Sequence, residues 1–175
     1  MQLNNNKHHY SNAQLTVLIL LRLAIGWHFL YEGIAKLFTP DWSSASYLDS
    51  SRWILRDVFS WIASNPSVLK VVDFLNTWGL ILIGLGLLFG VFSRVASISG
   101  MLLLLLYYIA HPPFIGLDFG MPTEGHYLIV DKVLIELLAL AVLTIFPTFP
   151  TSSMAGLKQL IMMFNNKTQF RVEQC

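Results

Sequence analysis

Long apolar stretches separated by short polar ones dominate this chain, and four of them carry the fold. The first covers residues 15–38, the second roughly 74–92 with a helical lead-in from Ser67, the third roughly 95–110 and the fourth roughly 127–146. A helix needs about 20 apolar residues to cross the hydrocarbon layer. The third stretch is short on that count and borrows Arg94 and His111 at its ends. No stretch alternates with period two, and backbone groups in lipid must be satisfied internally, so each is predicted as a helix. The expected fold is an all-α integral membrane protein, a four-transmembrane-helix bundle spanning 15–147. A polar tail, 1–14, precedes it, and 148–175 should form an interfacial helix at 153–164 followed by a polar end. The first stretch is longer than a signal-peptide core and no small-residue cleavage site follows it, which predicts a retained span.

The connections add detail. Spans two and three are separated only by the turn around 90–93 and must be antiparallel neighbours. Gly86-Leu-Leu-Phe-Gly90 is a G-x-x-x-G pattern, which serves either a dimer face or close packing within one chain. The second use is the expectation here. The long connection 39–73 contains SRWILRDVFSWIAS at 51–64. On a helical wheel Arg52, Arg56, Asp57 and Ser60 share one side, and apolar residues cover most of the other. That predicts an interfacial amphipathic helix, closed by Asn65-Pro66 and acting as a surface anchor or as a lid. Trp42, Trp53, Trp61 and Trp78 suit an aromatic belt. Lys and Arg placement favours both termini on the cytoplasmic side, with 39–73 and 111–125 facing outward.

Composition sharpens the class. The 175 residues are 55% hydrophobic and 12% charged, with mean hydropathy +0.60; a soluble domain carries about 25% charge. The net charge of +1 gives no general attraction to nucleic acid. Cys175 is the one cysteine, so neither an internal disulfide nor a Cys-x-x-Cys redox pair is available. Redox chemistry would need a bound cofactor, a quinone or a partner protein.

The first apolar stretch nevertheless holds Arg22, His28, Glu32 and Lys36. Ionisable groups are expensive in hydrocarbon and normally face a bundle interior. On an ideal helix Arg22, Glu32 and Lys36 lie within roughly 80°, and His28 widens the arc to about 120°. The fourth stretch offers His126, Asp131, Lys132 and Glu136. At 1.5 Å per residue Glu32 lies about 9 Å below the outer end of its span, and Asp131 and Lys132 about 7–9 Å below theirs. His28 and Glu136 both lie about 15 Å down. Two antiparallel helices thus bring their charges to matching depths. The arithmetic pairs Glu32 with Lys132 or Lys36 and His28 with Glu136, and it leaves Arg22 deeper. Such a set either relays protons to a quinone head group, with Glu32 and His28 as the exchanging groups, or fixes helix register as structural ion pairs. Tyr107, Tyr108 and His111 close the third span at the same end, where the tyrosines suit interface anchors and Tyr108 and His111 join the candidate pocket.

Metalloprotease, cysteine-metal and serine-hydrolase motifs are lacking, and neither a metal nor haem is expected. A small proton-coupled transporter is a rival reading, although broken spans and inverted repeats are not evident.

Three blocks, RLAIGWHFLYEGIAKL at 22–37, WGLILIGLGLLFGVFSRVASISGMLLLLLYYIAHPP at 78–113 and HYLIVDKVLIELLALAVL at 126–143, resemble the DoxX/DoxD family. Their order, and the Trp-containing loop after the first span, are similar to the DoxD-type branch. That branch includes the small subunit of thiosulfate:quinone oxidoreductase. The resemblance implies a four-helix bacterial inner-membrane protein, quinone as the electron acceptor and a second subunit for the sulfur substrate. A non-enzymatic scaffold or accessory subunit of an envelope complex, alone or as a homo-oligomer, is the competing expectation.

Overall fold

The computed structural model describes residues 10–114, 128–146 and 148. It is all-helical among them, with six helices: α1 Asn12–Phe38, α2 Ala45–Asp49, α3 Arg56–Ser64, α4 Pro66–Phe89, α5 Ser93–Ala110 and α6 Lys132–Ile145. Local chemistry sets several of the ends. Ser11 and Gln14 form a reciprocal capping box on α1. Pro66 begins α4 at the position where its missing N–H costs nothing. The Asp131 carboxylate accepts from Leu134 N at 2.8 Å and starts α6. Gly90 closes α4 with φ 68°, and Phe92 opens α5 with φ 54°, so the whole reversal takes three residues.

Helices α1, α4 and α5 are long and apolar enough to cross a membrane. The expected fourth span is helical only over Lys132–Ile145. Those 14 residues reach about 21 Å, short of the ~30 Å hydrocarbon layer. The start moves from 127 to 132 because the Asp131 cap, not the apolar pattern, decides where α6 begins. The amphipathic segment is likewise shorter than 51–64. It becomes α3, preceded by the five-residue α2, which the hydrophobic pattern did not reveal. The predicted helix 153–164 and His126 lie outside the described residues.

The core joins four helices: Ile25 and Phe29 of α1, Leu80, Ile83 and Leu87 of α4, Ala96 and Leu104 of α5, and Leu140 and Leu143 of α6. Helix α1 packs chiefly along α4, and α6 along α5. Leu48, Phe59 and Ala110 form a second small core that fastens α2 and α3 over the end of the bundle. Val58 and Trp61 of α3 stay exposed, in keeping with an anchor at a membrane surface.

The α1–α4 contact is a meeting of backbones. A Cβ added at Gly84 would lie 2.5 Å from Leu30 N and 2.8 Å from Gly26 O, and one at Gly33 would lie 2.9 Å from Ile81 N. A Cβ added at Gly86 would lie 3.0 Å from Ala96 Cβ, so the G-x-x-x-G pattern serves packing within the chain and the turn at Gly90. Gly79 has open space around it. Gly84→Ala should therefore lower unfolding stability by about 1–3 kcal/mol through overpacking. Gly79→Ala should be neutral or stabilise by up to about 1 kcal/mol through helix propensity. Denaturation of both variants in matched detergent micelles checks this.

Candidate functional site

At the α2 end of the bundle a cleft of about 390 Å³ opens between α1 and α6. Its apolar wall is Phe29, Leu80, Leu104 and Val133. Its polar groups come from five helices: His28, Glu32 and Lys36 of α1, Ser46 and Tyr47 of α2, Asn76 of α4, Tyr107 of α5, and Lys132 and Glu136 of α6. Trp42, Ser43 and Ser44 from the segment before α2 close the same end. His28, Glu32 and Lys36 are spaced by four residues, so helical geometry stacks them one above another along the cleft.

Two polar centres flank Glu32. In the first, His28 Nδ1 pairs with Glu136 Oε1 at 2.8 Å, joining α1 to α6. The depth argument anticipated this pair. In the second, Lys36 Nζ donates to Asn76 Oδ1 at 3.0 Å and to the Tyr107 hydroxyl at 3.3 Å. Tyr107 in turn donates to the same Asn76 oxygen at 3.0 Å. The ammonium also lies 5.0 Å from the centre of the Trp42 ring and 5.4 Å from that of Tyr107. Both contacts place positive charge against a negative ring face. Lys36 thus turns to a neutral amide and two aromatics, where the sequence arithmetic offered Glu32 either Lys132 or Lys36.

A cap holds these groups in place. Asp73 accepts from Ser44 N at 2.9 Å and from the Ser44 hydroxyl, tying the segment before α2 to α4. The Tyr47 hydroxyl donates to Tyr107 O at 3.3 Å, and the Tyr47 ring rests 4.1 Å from His111. Burial in this cap raises the Tyr47 phenol above its ordinary range, so it stays a neutral donor.

Four of the expected pocket residues do not line the cleft. Arg22, 4% exposed, lies toward the opposite end and donates to Thr148 Oγ1 at 2.9 Å, where it fastens the bundle. Tyr108 turns away on α5 and donates to Ile129 O at 2.8 Å. His111 lies behind Tyr47, with Nε2 on the Ser50 hydroxyl at 2.9 Å. Asp131 is used as the α6 cap. Conversely, Asn76, Trp42, Tyr47 and Asp73 were not selected from the sequence. Asn76 and Asp73 fall at α4 positions about one turn apart, Asn76 just inside the expected second span and Asp73 in its helical lead-in. A polar residue that close to an apolar span was the available signal.

A family model described as DoxX matches residues 17–112, more than half of the chain. The chain belongs to the DoxX family. The match runs from α1 to Pro112 and so contains Lys36, Asn76 and Tyr107; the α6 wall lies beyond it. No curated protein and no solved structure matches. Family membership and three apolar helices together make this DoxX protein a multi-pass membrane protein.

Two outcomes follow from these contacts. Asn76→Leu removes the acceptor shared by an ammonium and a phenol, and should destabilise the fold by about 1.5–3 kcal/mol. Tyr107→Phe, which keeps the ring face, should lose less; denaturation of both checks the order. Separately, burial pulls His111 down from 6.5 to about 4. The unfolded chain then binds more protons than the folded one between these values. The contribution is complete above pH 6.5 and is lost as the pH falls toward 4. Wild type should therefore lose stability over that window, and His111→Gln should show a flatter pH profile in the same melts.

Proposed function

We propose that this DoxX-family protein is the membrane subunit of a quinone-linked oxidoreductase, similar in role to the DoxD-type small subunit. The cleft between α1 and α6 receives the quinone head group. Under this reading α6 is the fourth span, the protein lies in a bacterial inner membrane, and both termini face the cytoplasm.

The observation that supports it most is the make-up of the cleft. An apolar wall of Phe29, Leu80, Leu104 and Val133 suits a flat ring, and two separate hydrogen-bonding centres border it. A bound quinone supplies acceptance of two electrons and two protons. The chain's own residues take the proton side. Glu32 and the His28–Glu136 pair hold protons beside the ring. The Lys36 ammonium, with one N–H beyond those given to Asn76 and Tyr107, offers a donor to a carbonyl oxygen, and Asn76, Tyr107 and Trp42 set its position. Lys132 offsets the carboxylate charge. Electrons come from a partner subunit that oxidises the substrate, since no cysteine lies within the helices.

A second reading has one observation in its favour. The Lys36–Asn76–Tyr107 set joins α1, α4 and α5, which is how a purely structural polar network would be arranged. In that case the protein is a scaffold or accessory subunit of an envelope complex.

Quinone content separates the two. Gently purified wild type should carry near-stoichiometric quinone per chain, and Glu32→Gln should lose most of it with its melting temperature unchanged. Equal trace amounts in both proteins would discard the redox reading and leave the accessory role.

A further inference from the structure

We infer that the ligand of this cleft enters sideways from the bilayer, between α1 and α6. It is therefore a membrane-resident amphiphile that places a polar head in the cleft and leaves its chain in lipid. The inference rests on the cleft being a binding site, and it adds the route and the ligand class.

The first argument is closure at the α2 end. Ser44 is buried and held to Asp73 by two hydrogen bonds. Tyr47 is fixed against Tyr107 and His111. Trp42 lies over Lys36. A solute arriving from water at that end meets this cap.

The second argument is the opening on the flank. Helices α1 and α6 each pack along a different neighbour and touch one another sparingly. The His28 side chain is 51% exposed, although its partner Glu136 is only 14% exposed. His28 lies ten residues before the end of α1, about 15 Å along the axis, so its exposed side faces the apolar layer. An unpaired charge at that depth would be expensive, and the ion pair offsets it.

The third argument is the chemistry of the rim. Ala24 and Ala35, one and two turns from His28 on its face of α1, are small and exposed and leave that edge low on either side of Tyr31. Ile135 and Leu138 of α6 are exposed and apolar. Alanine and aliphatic side chains at this rim suit an alkyl chain, while His28, Glu32 and Lys132 beside them suit a polar head.

Thiol labelling of the full-length chain in lipid nanodiscs tests the route. In a Cys175→Ser background, Val133→Cys places a thiol in the cleft wall, and Arg52→Cys reports aqueous access on an exposed loop. Leu104→Cys is a second cleft position should the first fold poorly. Each is reacted with N-hexadecylmaleimide and with a sulfonated, membrane-impermeant maleimide. The ratio of alkyl to sulfonated rates should be at least about tenfold higher at Val133→Cys than at Arg52→Cys. Adding Ala24→Trp should slow the alkyl reagent in the cleft and leave Arg52→Cys unaffected. Sulfonated labelling of the cleft as fast as that of the loop, or no labelling of either cleft thiol by the alkyl reagent, overturns the sideways route. A decyl-tailed benzoquinone should protect Val133→Cys. Preferential alkyl labelling without such protection would remove the quinone reading while the route stands.

Discussion

Everything at the cleft depends on how closely α1 and α4 approach. At Gly84 there is no room for even one methyl group between the α4 backbone and Leu30 of α1. Without a hydrophobic driving force between helices in lipid, such close van der Waals contact is what holds two spans together. It fixes the register of α1 against α4, and that register brings Lys36 to the oxygen of Asn76. Because α1 is committed to α4 and α6 to α5, the fourth side of the bundle is left loosely closed, and the cleft occupies that gap. The cleft is thus a by-product of unequal helix packing.

The polar residues divide by what they join. His28–Glu136 crosses the loosely closed side and is the main polar link between α1 and α6 among the described residues. Lys36–Asn76–Tyr107 crosses the tightly packed side. A ligand entering the gap would compete with the first group and leave the second intact. An ion pair and a hydrogen-bonded donor set are therefore separated within one small volume.

Much of the fold was legible because helical rise is invariant. Counting residues from the span ends was enough to bring His28 and Glu136 together, and apolar length located α1, α4 and α5. What failed was any inference about neutral polar groups. Asn76 carries no charge to be noticed, and Tyr107 read as an interface anchor. Arg22 looked like part of the cleft because it shares the α1 stripe, yet depth along the axis, not azimuth, decides its partner. His111 and Tyr108 were drawn to the cleft by proximity in sequence to Tyr107. Tyr108 is 100° of rotation from Tyr107, which sends it away, whereas His111, four residues on, keeps that face but lies behind Tyr47. The five-residue α2 has no periodicity to read, so the cap emerged only from the hydrogen bonds of Ser44 and Tyr47.

The reversal between α4 and α5 also bears on how the protein is made. Two left-handed residues, Gly90 and Phe92, turn the chain within three positions, leaving no slack between the helices. A linker that short cannot let one helix cross a membrane while the other waits in water. The pair must enter lipid together, as a preformed hairpin, with the exposed Arg94 kept on the side from which it started. Insertion of α1 and α6 is then a matter of docking each onto one face of a hairpin already in place.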